Sequence, residues 1–138
     1  MCEPKQFGYE EIEHTADWAL RVWAPDLKTL FVQAAEGMNT LAGMVLEGGA
    51  RPKKAFELGA IDRESLLVDF LSELLYFSEM EQLGFDRFDL NIGEQKLIAK
   101  VEGGAIADLK KEIKAVTYYD LKITTGEAGL EVTIVFDV

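Results

Sequence analysis

The feature that most constrains this chain is a change of hydrophobic period along its length. Leu66, Leu67, Phe70, Leu71, Leu74 and Phe77 recur at three- and four-residue spacing, the mark of a helix with one wide apolar face. After Gly84 the period falls to two: Leu130, Val132, Ile134 and Phe136 alternate with Glu131, Thr133, Val135 and Asp137. A helix buries a stripe and a strand buries a face, so segments of both kinds are stable only when packed on one another. The fold expected is α+β, two helices packed on a mostly antiparallel or mixed β-sheet, in a single domain over residues 1–138.

Local signals place the elements. Pro25 ends a strand over 18–23, where Trp18, Leu20 and Val22 share one face and Ala19 and Arg21 the other. Asp26 is placed to cap the first helix, whose stripe is Leu27, Leu30, Phe31, Ala34, Met38 and Leu41. Asp62 caps the second, and its wide apolar face predicts the deeper burial of the two. Further strands are expected over 9–13, 55–59, 85–92, 96–101, 112–116, 119–124 and 130–138, with Gly93, Gly103-Gly104 and Gly126 as breaks.

Composition narrows the function classes. With 138 residues, 49% of them hydrophobic, the chain can bury a core without staples. One cysteine, Cys2, cannot form an internal disulfide, and no apolar run approaches the ~20 residues of a membrane span, so a soluble protein of the reducing cytoplasm is expected. The N-terminal stretch 1–11 lacks the apolar core of a signal peptide. Twenty-five acidic against fourteen basic side chains leave a formal net charge of −11. Phosphate affinity comes mainly from Lys and Arg, so this balance argues against autonomous nucleic-acid binding and favours cations or a basic protein surface.

Standard catalytic signatures are missing: no Gly-rich phosphate loop, no Cys-x-x-Cys, no His-Glu-x-x-His, and no nucleophile elbow around any serine. Four stretches could still carry chemistry. Glu13-His14-Thr15-Ala16-Asp17 gathers an imidazole, a hydroxyl and a carboxylate before a strand; it reads as a polar turn or as an oxygen-donor metal site seeded by Asp17. The C-terminal Asp137-Val138 offers a side-chain carboxylate beside an α-carboxylate, either solvated or available to a hard cation. In the third stretch, 111–119, Glu112 and Lys114 would share one strand face opposite Ile113, as an outer charged face or a working one. Asp69 and Glu73, one helical turn apart, form a solvated or partner-facing flank or a carboxylate pair.

Together these stretches resemble one family, the archeases. The likeness runs from Tyr9 and Glu13-His14-Thr15-Ala16-Asp17 through Ala34-Ala35-Glu36-Gly37-Met38, the run from Leu66 to Tyr76 and Glu112-Ile113-Lys114-Ala115-Val116-Thr117-Tyr118 to Phe136-Asp137-Val138. The resemblance implies an archease-like domain over the whole chain. It also implies an accessory protein, not an enzyme, that activates the RtcB-type tRNA-splicing RNA ligase by promoting its guanylylation with GTP and its multiple turnover. It implies a divalent metal, Ca²⁺ foremost with Mg²⁺ as the alternative, held by Asp17, Asp137 and Val138. Glu112, with Lys114, is implied in partner activation, and His14 and Thr15 in support. Tyr119 stands where many relatives carry histidine.

One physical expectation joins the two readings. Carboxylates of Asp17, Asp137 and Val138 brought together without a cation would repel, at about 4 kcal/mol per pair for ~4 Å and an effective dielectric near 20. A divalent ion reverses that sign, so the first segment and the end of the last strand are expected to lie close together. Two rival classes make other expectations. A stand-alone metal-dependent phosphohydrolase, with Lys114 on phosphate, would turn over nucleotides without a partner. A metal-free, chaperone-like interaction module would tolerate loss of Asp17.

Overall fold

Two aspartates start the two helices. In the computed structural model, which describes residues 6–12, 18–126 and 129–138, Asp26 accepts the Thr29 backbone N–H at 2.7 Å and opens α1 (Leu27–Ala42). Asp62 accepts the Ser65 N–H at 2.7 Å and opens α2 (Arg63–Glu81). These backbone hydrogen bonds hold both carboxyls below their ordinary values. A carboxyl depressed by folding stabilises the protein above its unfolded value, ~3.9, and that contribution disappears as pH falls through the folded value. Asp26→Ala is therefore expected to cost about 1 kcal/mol at neutral pH, the exposed carboxyl being screened by water. In urea titrations at falling pH the mutant and the wild type should converge below the carboxylate range.

Helix α1 stops at Gly43, which takes the left-handed conformation at φ 63° and donates its N–H to the Asn39 and Thr40 carbonyls. A Cβ there would also meet the Lys110 side chain at 2.8 Å.

The strands form two sheets, where the alternation alone suggested one. The first contains β1 (Gly8–Ile12), β2 (Trp18–Ala24), β7 (Ala115–Val116), β8 (Thr124–Gly126) and β9 (Gly129–Asp137). Strand β9 is central: β2 lies along one edge, β7 and β8 along the other, and β1 lies outside β2. Across its exposed side Arg21 bonds Glu131 at 2.7 Å and Glu10 at 3.1 Å, stitching three neighbouring strands. The second sheet contains β3 (Val45–Leu46), β4 (Lys53–Gly59), β5 (Leu83–Ile92) and β6 (Lys96–Asp108), with β6 between β4 and β5. Every pairing in both sheets is antiparallel among the described residues.

The helices join the sheets. Helix α1 touches β1, β2 and β9 of one and β5 of the other, while α2 touches β4, β5 and β6 and, in the first sheet, β7. Apolar residues from all these elements form one core, centred on Phe70 with Phe31 at 5.8 Å, Phe88 at 6.2 Å and Phe56 at 6.3 Å between ring centroids. The expectation that α2 is the deeper helix is corrected here. Nine of sixteen residues of α1 are buried against six of nineteen in α2. The cause is side-chain size: Ala34, Ala35 and Gly37 let α1 approach the first sheet closely, with Gly37 against Leu20 and Tyr9.

Three strand expectations are also corrected. Residues 119–123 form no strand: the chain turns at 119–120 and runs on irregularly, with Asp120 left-handed at φ 51° and the Leu121 N–H donating to the Tyr118 carbonyl at 3.1 Å. Aspartate tolerates that conformation better than most residues, a signal the alternation masked. Of the stretch 112–116 only Ala115–Val116 is paired as strand. Gly103-Gly104 does not end β6, which runs on to Asp108. At Gly103 a Cβ would collide with the backbone of Gly84 and Phe85, beside the register shift between Phe85 and Arg87. That glycine marks close backbone approach, not a break.

Candidate functional site

The end of β9 lies between two strands. Phe136, fully buried, is partnered by Trp18 on one side and by Val116 on the other. Asp137 comes next, opposite Ala115, and its carbonyl accepts the Lys114 N–H at 2.7 Å. The Thr117 N–H donates to the Val135 carbonyl at 3.0 Å. Val116 is buried opposite Phe136 and Ile113 is buried in the same core, so hydrophobic anchoring, more than strand length, holds the 112–117 segment against β9. Glu112 and Lys114 stay exposed on either side of Ile113, the alternation expected from sequence.

A cation–π contact completes the arrangement. The Lys111 ammonium lies 3.1 Å from the centre of the Trp18 ring, joining the segment beyond β6 to the first residue of β2. Sequence reasoning missed this pair, because the two residues are distant along the chain and neither belongs to a motif. A groove of about 600 Å³ opens beside the segment, between the C-terminal ends of α1 and α2, with Glu79, Asp108, Lys111, Glu112 and Lys114 among its walls. At its base the Asn39 amide donates to the Phe85 carbonyl at 2.8 Å.

Four of the residues singled out from sequence are thus neighbours: exposed Asp137, half-buried Val138, Glu112 and Lys114. His14, Thr15 and Asp17 lie outside the described residues, as does Cys2. The described residue that follows them, Trp18, is partnered with Phe136, one position before Asp137. Among the described residues no three His, Cys, Asp or Glu side chains stand close enough to hold a metal. The donors that are described at the strand end are carboxylate oxygen, the type that suits a hard cation. Asp69 and Glu73 occupy a different place on α2, where Asp69 faces Tyr118. Partial burial, and then the Asp69 carboxylate, raise the Tyr118 phenol above its ordinary value. Among the described residues no helix is long and apolar enough to cross a membrane.

Known proteins share this chain's sequence pattern and fold. Residues 9–138 match the family model described as the Archease protein family (MTH1598/TM1083). The chain is 37% identical to Protein archease of Methanosarcina barkeri, over 94% of this chain and 95% of that protein. It is 33% identical to Protein archease of Pyrococcus abyssi, over 83% of this chain and 87% of that protein. Its fold is similar to the solution structure of Protein 1598 of Methanobacterium thermoautotrophicum, with a TM-score of 0.69, 22% identity, and 95% and 99% of the two chains covered. It is also similar to a Thermotoga maritima crystal structure described as an archease, possible chaperone, with a TM-score of 0.68, 23% identity, and 100% and 98% covered.

Proposed function

We propose, from the premise that the chain belongs to the archease family, that it is an accessory protein activating an RtcB-type RNA ligase, not an enzyme in its own right. The observation that carries this reading is the convergence at the end of β9. Asp137 and Val138 lie against the segment holding Glu112 and Lys114, and Trp18 enters from the other side. The Thermotoga protein is described as a possible chaperone, a role exerted on another protein that fits the activator and the metal-free module alike.

In this reading Asp17, Asp137 and Val138 would hold a divalent ion, because all three offer the hard oxygen donors that suit Ca²⁺ and Mg²⁺ alike; the family likeness puts Ca²⁺ first. The ion, when bound, supplies positive charge that offsets phosphate negativity during nucleotidyl transfer. The chain's own residues do the rest. Phe136, Ile113 and Val116 are buried and hold the site rigid from beneath. Lys114 is exposed and offers a cation to a phosphate of the ligase-bound GTP, and exposed Glu112 offers an acceptor to the ligase. His14 and Thr15 support Asp17. The acidic surface of a −11 chain docks on the ligase's basic RNA channel, so GTP reaches the assembly through the ligase and RNA is not bound by this protein directly.

Covalent GMP on purified ligase, followed with and without this protein, tests the reading. Labelling is expected to rise with wild type, and to lose about tenfold or more of that rise with Asp17→Ala, as removal of a metal ligand implies. Unchanged labelling by wild type overturns the activator reading. Full activation by Asp17→Ala would favour a metal-free module instead, and nucleotide turnover by this protein alone would favour a phosphohydrolase.

A further inference from the structure

The outer side of α2 is left open by both sheets. Asp69, Glu73, Tyr76 and Met80 follow one another at four-, three- and four-residue steps and so share one stripe, roughly 16 Å long at ~1.5 Å per residue. Tyr76 and Met80 are 53% and 63% exposed, and neither sheet has a claim on them. Beside the N-terminal half of this stripe stands the 118–120 turn. It carries Tyr118 at 59% and Tyr119 at 69% exposure, with Tyr118 facing Asp69 and Asp62. The turn is tied down rather than free. The Arg63 guanidinium donates to the Ile123 carbonyl at 3.0 Å, and the Ile123 N–H donates to Glu64 at 3.0 Å.

The charge of α2 is lopsided. It carries Glu64, Asp69, Glu73, Glu79 and Glu81 against Arg63, and no basic residue stands in its last turn. Carboxylates at the negative end of a helix dipole are unfavourable, and Lys54, at 3.3 Å from Glu81, offsets one of them. Three exposed tyrosine rings and a methionine laid among carboxylates make a surface of a particular chemistry. Guanidinium groups stack on tyrosine faces while pairing with carboxylates, and tyrosine loses little rotamer freedom on being covered. A phosphate backbone would be repelled here, and a second copy of so acidic a chain would meet like charge.

We propose that Asp69, Glu73, Tyr76 and Met80 of α2, with Tyr118 and Tyr119, form a docking surface for an arginine-bearing segment of a protein partner. The proposal rests on the reading that this chain acts through a partner, and it adds where that partner is held. Residues 117–118 follow directly from β7, so a partner seated on the stripe is adjacent to the segment bearing Glu112 and Lys114.

The test is amide and aromatic NMR of the labelled full chain, titrated with a nona-arginine peptide and with a nona-lysine peptide near physiological salt. The largest shifts are expected on the outer side of α2 and at 117–120, with nona-arginine bound about threefold or more tighter than nona-lysine. Tyr118→Ser with Tyr119→Ser, and separately Asp69→Asn with Glu73→Gln, should each weaken nona-arginine by about fivefold or more. Glu57→Gln with Glu94→Gln, the same charge change on β4 and the β5–β6 turn, should alter it less than about twofold. Equal weakening by both charge pairs, shifts centred elsewhere, or equal binding of the two peptides would overturn the proposal. So would self-association in sedimentation that the tyrosine variant abolishes, since the occupant would then be a second copy. Retention on immobilised RtcB-type ligase separates the two readings. If the peptide maps to the stripe but the ligase retains nothing, the ligase reading fails and the surface stands. If the ligase retains wild type and stripe variants equally, the surface fails and the ligase reading stands.

Discussion

Phe70→Ala is expected to destabilise the protein by about 3–5 kcal/mol, a large share of the ~5–15 kcal/mol that holds a domain of this size folded. Phe70 is fully buried on α2, stacked on Phe31 of α1 and in contact with Phe56 of β4 and Phe88 of β5. Its ring is where both helices meet the four-stranded sheet. Truncation therefore removes the apolar transfer energy and also leaves a cavity that three separate elements would have to move to close. Urea unfolding followed by far-UV circular dichroism measures the loss directly. A change near 1 kcal/mol would mean that the neighbouring rings collapse into the space, and that the helices are loosely held between the sheets. Phe77→Ala is a useful companion, because Phe77 is half-buried at the rim, 5.4 Å from Phe85, and should cost less.

Extension of the chain beyond Val138 should lower divalent-metal affinity by about tenfold or more, and Asp137→Asn should do the same, whereas extension before Met1 should leave it unchanged. Both changes remove one negative charge from the proposed donor set. Asp137→Asn leaves the core undisturbed, since Asp137 is exposed and its backbone carbonyl still accepts the Lys114 N–H. Calorimetry with Ca²⁺ and with Mg²⁺ gives the affinities. Thermal unfolding gives an independent reading, because a ligand at ~100 times its dissociation constant adds about 2.7 kcal/mol of stability. Equal Ca²⁺ affinities for the wild type, the C-terminally extended chain and Asp137→Asn would remove Asp137 and Val138 from the metal site. The proposed activation would then have to rest on Glu112 and Lys114.

What could be read from sequence was local. The aspartate caps of both helices, the apolar stripes beginning at Leu27 and Leu66, and the alternation from Leu130 to Asp137 each depend on residues within about one helical turn or a few strand positions of one another. These periods leave little freedom in the type of each element, so the α+β class followed. The errors arose where a local signal had a non-local cause. Gly103 looked like a break and is a point where two strands approach too closely for a side chain. Residues 119–123 alternate, yet the chain turns back at Asp120 and is held by Arg63 and Glu64 of α2. The candidate site divided in the same way. Motif residues named Asp137, Glu112 and Lys114 as worth attention, but their adjacency depends on β9 pairing with β7, and Lys111 on Trp18 had no signal at all.

The sequence by itself determined the two helices and the longest alternating strand, that the surface is strongly acidic, and which side chains could carry chemistry. Only the tertiary structure decided that two sheets share the helices, that β9 ends between β2 and β7, and that three tyrosines flank the carboxylates of α2. The physical reason is one of range. Hydrogen-bond period and capping act over a few residues, whereas burial couples any residues that can exclude water together, however far apart they stand along the chain.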